Sequence, residues 1–161
     1  MHNLIEQFTE TKAVDYKELK ITSVAFTNNG LIPATYTCDG KNINPPLDIS
    51  HIPKLAKSLA IIVVDNDAPI RPWVHWVVWN IPITHHIKEN RVNGIEGLND
   101  FQTYQYGGPC PAMGNHHYHF KVYALNEILD LPKHTNKHQL EKAMSNCIIG
   151  FGEIVASYER K

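Results

Sequence analysis

The chain lacks a field of one charge. Its 161 residues carry 15 Lys and Arg against 16 Asp and Glu, a formal net charge of -1 with the ten histidines neutral. With no basic patch or Lys/Arg-rich run, neither nucleic acid nor an anionic membrane patch is an expected partner. Long apolar runs are missing too. The longest aliphatic stretch, Leu59 to Val64, is far too short to span a bilayer. The opening MHNLIEQFTETK has neither a basic n-region nor an apolar h-region, so no signal peptide is expected and the cytoplasm is the default location. Cysteine is scarce. Cys38, Cys110 and Cys147 show no CxxC spacing, which excludes a zinc ribbon or a thioredoxin-type motif. An odd count without a secretion signal favours free thiols, although Cys38 and Cys110 both sit in Gly/Pro-rich loops that could meet in space. GxSxG, P-loop, GxGxxG and HExxH motifs are all absent, and no cofactor or metal is expected.

What is present reads mostly as strand. ELKITSVAF, from Glu18 to Phe26, alternates and then meets the turn signal TNNG. SLAIIVVD, from Ser58 to Asp65, is a continuous run rich in β-branched residues, the pattern of a strand covered on both faces. WVHWVVWNI (Trp73 to Ile81), HYHFKVYAL (His117 to Leu125) and the terminal IIGFGEIVASYER add three more. Asn136 is a fair N-cap for a helix over KHQLEKAMSNC, with Leu140, Ala143, Met144 and Cys147 on one stripe. NLIEQFTE predicts a short amphipathic helix. Prolines cluster at strand ends, where they block extension of a ladder. With no repeats or linkers, the expectation is one domain over 1–161. Its class is mainly β: an antiparallel β-sandwich of two sheets with a few peripheral helices.

Three stretches could carry chemistry. In DNDAPIRPWVHW, Asp65 and Asp67 lie two apart. On an extended segment they would point the same way and could share a proton. An Asx turn leaving the strand, helped by Asn66 and Pro69, is the simpler reading. Alternation puts Trp73 and His75 on one face with Val77 and Trp79, where a neutral core histidine is commoner than a catalyst. In GGPCPAMGNHHYHF, Gly107 to Phe120, the Gly/Pro loop could hold an anion on backbone N–H groups. His116 and Tyr118 share one strand face, with His117 and His119 on the other. Cys110 and His116 resemble a nucleophile–base pair, but no helix N-terminus follows to lower the thiol pKa.

DNDAP, WVHWVVWNIP and YGGPCPAMGNHHYHFKVYAL, in that order and after TCDGKNINPPL, together resemble the phosphatidylethanolamine-binding protein family, above all its bacterial and archaeal Raf-kinase-inhibitor-like branch. The ending GEIVASYER resembles the family's last strand, so the resemblance covers residues 18 to 161. It implies a Greek-key-like β-sandwich with a small pocket for phosphate-like anions and phospholipid headgroups. Matched motif by motif, the pocket would draw on Asp65, Asp67 and Pro69, then Trp73 and His75, then Gly108, Pro109, His116 and Tyr118. The chain departs from the family pattern at Asn66 (usually proline), Ala112 (proline), His117 (arginine) and Asn44 (commonly serine).

The resemblance implies a non-enzymatic binding protein for a phosphate-like anion or phosphoethanolamine headgroup, with a kinase or a peptidase as protein partner. In such a site Asp65 would take an ammonium group or orient His75. His75, His116 and the Gly108 amide would approach phosphate oxygens, and Tyr118 would donate its hydroxyl. Two alternatives stand beside it. One is a peptidase inhibitor acting through a rigid loop such as TYTCDGKNINPP. The other is a hydrolase with His75 or His116 as base and Asp65 as orienter. A homodimer would need an exposed apolar patch.

Overall fold

A computed structural model describes residues 17–160. The helix expected for NLIEQFTE lies outside them. The longest strands form where β-branched and aromatic residues are densest: β5 (Ser58–Asp65), β6 (Trp73–Ile81), β9 (Asn115–Leu125) and β10 (Ile148–Glu159). The large sheet runs β1-β10-β9-β5-β6-β8, where β1 is Lys17–Glu18 and β8 is Ile95–Glu96. β3 (Gly30–Leu31) also pairs with β10. A small sheet holds β2 (Lys20–Thr22), β4 (Leu47–Ser50) and β7 (His86–Ile87) in the order β2-β4-β7. The central ladders are antiparallel, while β1 and β3 join β10 in parallel.

β5 lies between β9 and β6 and is buried at every residue, as its unbroken apolar run requires. Leu47 and Ile49 of the small sheet, Phe26, and Trp76 and Phe120 of the large one join a single apolar core. Each such side chain contributes about 1.5–3 kcal/mol through burial. The helix α1 (Lys137–Met144) begins at Asn136. The Asn136 side chain accepts from the Gln139 N–H, and the Gln139 side chain accepts from the Asn136 N–H in return. Its Leu140 and Met144 are buried, and it packs beside β6.

Two expectations about the fold need correction. ELKITSVAF is not one strand. The chain pairs with β10 at Lys17–Glu18, and crosses at Leu19, whose N–H donates to Phe151 O at 2.9 Å. It then pairs with β4 in the other sheet. Glycine at 152 permits the crossing, because a Cβ there would stand 2.2 Å from Leu19 O. Nor are all three thiols free. Cys38 and Cys110 form a disulfide across a separation of 72 residues, and only Cys147 remains a thiol. The odd count predicted free thiols, but the two Gly/Pro-rich loops are held against each other independently of it.

Candidate functional site

β5 runs antiparallel to both β6 and β9, so its C-terminal end meets the beginnings of the other two. In register, Asp65 lies opposite Trp73 on one side and Tyr118 on the other. Directly opposed residues project to the same face. Trp73, Asp65 and Tyr118 therefore share one rung, and His116, two residues before Tyr118, shares its face.

A bulge brings in His75. The register passes from Val63↔Trp76 to Val64↔Val74, which leaves His75 as the extra residue of β6. Its carbonyl accepts instead from the Gly107 N–H at 3.0 Å and from the Asn99 side chain at 3.2 Å. Neighbours that alternation would separate now turn to the same side. The His75 ring stands edge-on to Tyr118 at 5.2 Å, and Trp76 stands edge-on to Tyr106, which stacks on Phe120. The expected face Trp73, His75, Val77, Trp79 is thus broken at the bulge. Trp79 lies under Gly97 beside the Thr135 carbonyl, on the side of α1.

The two acids part ways. Asp65, 4% exposed, accepts from the Asp67 N–H through Oδ1 at 2.8 Å and faces His116 Nδ1 through Oδ2 at 2.6 Å. The first contact is an Asx turn and the second is a buried ion-pair geometry, so turn and site coexist in one residue. Asp65 therefore holds His116, where His75 was the expected partner. Asp67 points outward. Its Oδ2 accepts from His117 N–H at 2.9 Å and meets His117 Nδ1 at 2.8 Å, and these contacts hold its pKa below the usual carboxylate range. Pro69 is exposed, and its carbonyl accepts from Arg71 N–H at 2.8 Å, so it shapes the turn. His75 Nδ1–H donates to the Gly107 carbonyl at 2.6 Å. Burial pulls its pKa below the ordinary histidine value, against the Gly107 carbonyl and the Asp65 charge.

The loop 107–110 forms the adjoining wall. Gly108 and Pro109 are buried. The Gly108 amide, expected to approach an anion, already donates to Asn42 Oδ1 at 2.7 Å. A side chain at 108 would strike Tyr36 O at 2.4 Å, so glycine lets the loops 34–42 and 107–110 touch. Cys38 N–H donates to Pro109 O, Tyr106 hydroxyl donates to Tyr36 O, and the disulfide closes the same seam. Behind that wall stands the Tyr118 hydroxyl, buried and without a hydrogen-bond partner. Its polar neighbours are the Asp65 carboxylate and the Cys110 amide. Burial first, then the Asp65 charge, raise its pKa far above the usual phenol value, so it remains a donor.

Sequence reasoning missed Asn99 and Phe101. Buried Asn99 donates to His75 O and Gln105 O, and its Oδ1 accepts from Phe101 N–H, Thr103 N–H and Thr103 Oγ1. This ties the loop 99–105 to the bulge. Phe101 is thereby set edge-on to His75 at 5.1 Å and to Trp73 at 5.8 Å. The only local signal was Asn99-Asp100 in a turn-rich segment. Among the described residues, no cluster of three or more His, Cys, Asp or Glu is placed to hold a metal ion.

A β-sandwich with a cluster of polar side chains at one strand end, built on these motifs, defines a class. The family model for phosphatidylethanolamine-binding proteins matches residues 22–159, and the chain belongs to that family. A UPF0098 protein of Pyrococcus abyssi is 48% identical over 154 residues, spanning 89% of this chain and 86% of the relative. The crystal structure of a phosphatidylethanolamine-binding protein homologue from Chlamydia trachomatis superposes with a TM-score of 0.86 at 36% identity, covering 89% of this chain and 99% of that one. Escherichia coli YbcL, described as a member of the mammalian family, gives 0.83 at 29% identity over 90% and 100%. No helix among the described residues is long and apolar enough to cross a membrane.

Proposed function

We propose that the chain is a non-enzymatic binding protein whose site takes a phosphate-like anion, with phosphoethanolamine as the ligand to try first. The Tyr118 hydroxyl carries this reading. A buried polar group without a partner costs about 1–3 kcal/mol, and a bound acceptor would recover it. The neighbours suit an anion. Asp65 fixes the His116 ring through Nδ1, and its Nε2 has no partner among the described residues. Asp65 itself is engaged at both oxygens, so its part is to orient His116. Burial disfavours the charged form of His75, and a bound anion would favour it. Trp73, Phe101 and Pro109 supply apolar walls.

Two observations weigh against the alternatives. Cys110, the nearest sulfur, is in a disulfide, and the Tyr118 hydroxyl is far from ionising, so neither supplies a hydrolase with a nucleophile. In TYTCDGKNINPP, Tyr36, Thr37, Asn44, Pro45 and Pro46 are buried, which leaves the short stretch Asp39 to Asn42 exposed to enter a protease cleft.

Tyr118→Phe tests the proposal by calorimetry with phosphoethanolamine and inorganic phosphate. Affinity should fall about tenfold, the worth of one hydrogen bond to a charged group, while the ligand-free protein keeps or gains stability. Unchanged affinity for both ligands would sink the reading.

A further inference from the structure

The disulfide stands where the pocket wall is assembled. It links the loop 34–42 to the start of the segment 110–114, which leads directly into β9 and His116. On the near side of Cys110 the seam has other ties: Cys38 N–H to Pro109 O at 3.1 Å and Gly108 N–H to Asn42 Oδ1 at 2.7 Å. On the far side it has few. Residues 111–114 make no hydrogen bond to other loops among the described residues, and beyond the buried Pro111 the residues Ala112, Met113 and Gly114 are exposed. The cross-link is thus the anchor of that segment, and the Cys110 amide it positions is a polar neighbour of the Tyr118 hydroxyl.

The two sulfurs are not equivalent. Cys110 is exposed, and Cys38 is half-buried. The Arg160 guanidinium reaches Cys110 Sγ with Nη1 at 3.8 Å, while its Nη2 is held by Asp39 Oδ1 at 3.1 Å. Asp39 is fixed in turn by the Tyr158 hydroxyl at 2.7 Å. A cation braced beside one sulfur of a disulfide stabilises the thiolate formed there when the bond breaks, and a better-stabilised thiolate is the better leaving group.

We propose that the Cys38–Cys110 bond is a thiol-exchangeable latch: a thiol that opens it releases the segment 110–114 and lowers the site's affinity for its anion. A thiolate from a dithiol reductant attacks Cys38 Sγ, the S–S bond breaks, and its electron pair leaves on Cys110 beside Arg160. The second thiolate of the reductant attacks the mixed disulfide and frees Cys38. The reductant ends as a disulfide, having given two electrons, and both protein thiolates take protons from solvent according to their pKa. Oxidation by a disulfide reverses each step. Cys147 takes no part, being buried, with its thiol pushed up to about 11 by desolvation.

The affinity half rests on the anion reading above, and the loop-release half does not. The full chain is treated with graded dithiothreitol, pulsed with iodoacetamide, and mapped by mass spectrometry. Amide exchange and phosphoethanolamine titration are measured on the oxidised and the reduced, alkylated forms. Cys110 should be alkylated before Cys38 and well before Cys147. Exchange should rise in 110–117 and stay low in β5 and β10. Affinity should fall about tenfold, the cost of ordering one or two groups on binding. Arg160→Gln should slow the opening about threefold and leave oxidised-state affinity unchanged. Equal affinity in both forms, unchanged exchange in 110–117, or global unfolding on reduction would each overturn the latch. If the oxidised protein binds neither phosphoethanolamine nor inorganic phosphate, the anion reading fails and takes the affinity half with it, and exchange and alkylation order alone then decide loop release.

Discussion

Both oxygens of Asp65 are engaged within the protein, and this decides what the carboxylate does. It closes the turn through the Asp67 amide and holds the His116 ring, so a neutral replacement keeps the first role and loses the charged acceptor of the second. Asp65→Asn should cost about 1–3 kcal/mol in urea denaturation and weaken phosphoethanolamine binding. Asp67→Asn, on an exposed pair with His117, should change stability by no more than about 0.5 kcal/mol and leave binding intact. A shared-proton pair would instead make the two substitutions behave alike. His75 makes a prediction of opposite sign from an ordinary stabilising ion pair. Its folded pKa lies below the ordinary value of 6.5. Above that value both states are neutral. As pH falls below it, the unfolded chain takes up its proton first, and stability is lost until the folded-state pKa is reached. The urea midpoint of the wild type should therefore fall between about pH 7.5 and about pH 5.5 by more than that of His75→Gln. Saturating phosphate, which favours the protonated ring, should shrink the difference.

At the scale of elements, the site depends on a fault in the ladder. A regular β6 would place His75 and Trp76 on opposite faces. The bulge turns both inward, and its unpaired carbonyl becomes the anchor for the loop 99–105. Asn99 makes five side-chain hydrogen bonds there, all but one of them to backbone groups. Asn99→Ala strands these donors and acceptors beneath a loop, so it should cost about 2–4 kcal/mol. The loss should appear locally as well. Phe101 would leave the His75 ring, and the ring-current shift on the His75 carbon-bound protons would collapse in the NMR spectrum. A stability loss with those shifts unchanged would mean that Asn99 supports the fold without setting the site.

Across the whole molecule, what was legible in the sequence is what depends on residue type over many positions. β5, β6, β9 and β10 follow from dense β-branched and aromatic runs, and α1 follows from its stripe and from Asn136. The two-residue strands β1, β3, β7 and β8 carry no period and exist only because a neighbour pairs with them. Likewise, motif likeness gathered Asp65, Trp73, His75, His116 and Tyr118 at one end. Their partners followed from register, which alone sets Asp65 against Tyr118 and so beside His116. Asp67 and Pro69 came with the same motif likeness; Asp67 pairs with His117, and the Pro69 carbonyl accepts from Arg71 N–H. The disulfide belongs to the same scale. It joins positions 72 residues apart, and the Gly/Pro-rich loops around the two cysteines made the pairing conceivable without fixing it. Closing a loop of that size restricts the unfolded chain, and the chain-entropy estimate is about 4 kcal/mol, with about 2–4 typical of measured cases. Since the seam keeps its hydrogen bonds and the core is elsewhere, the reduced protein should stay folded. Its unfolding free energy in urea should drop by that amount, and the unfolded chain should expand. A midpoint indifferent to reduction would mean that the reduced, unfolded chain already holds these two loops together, and the cross-link would then matter only to the pocket wall.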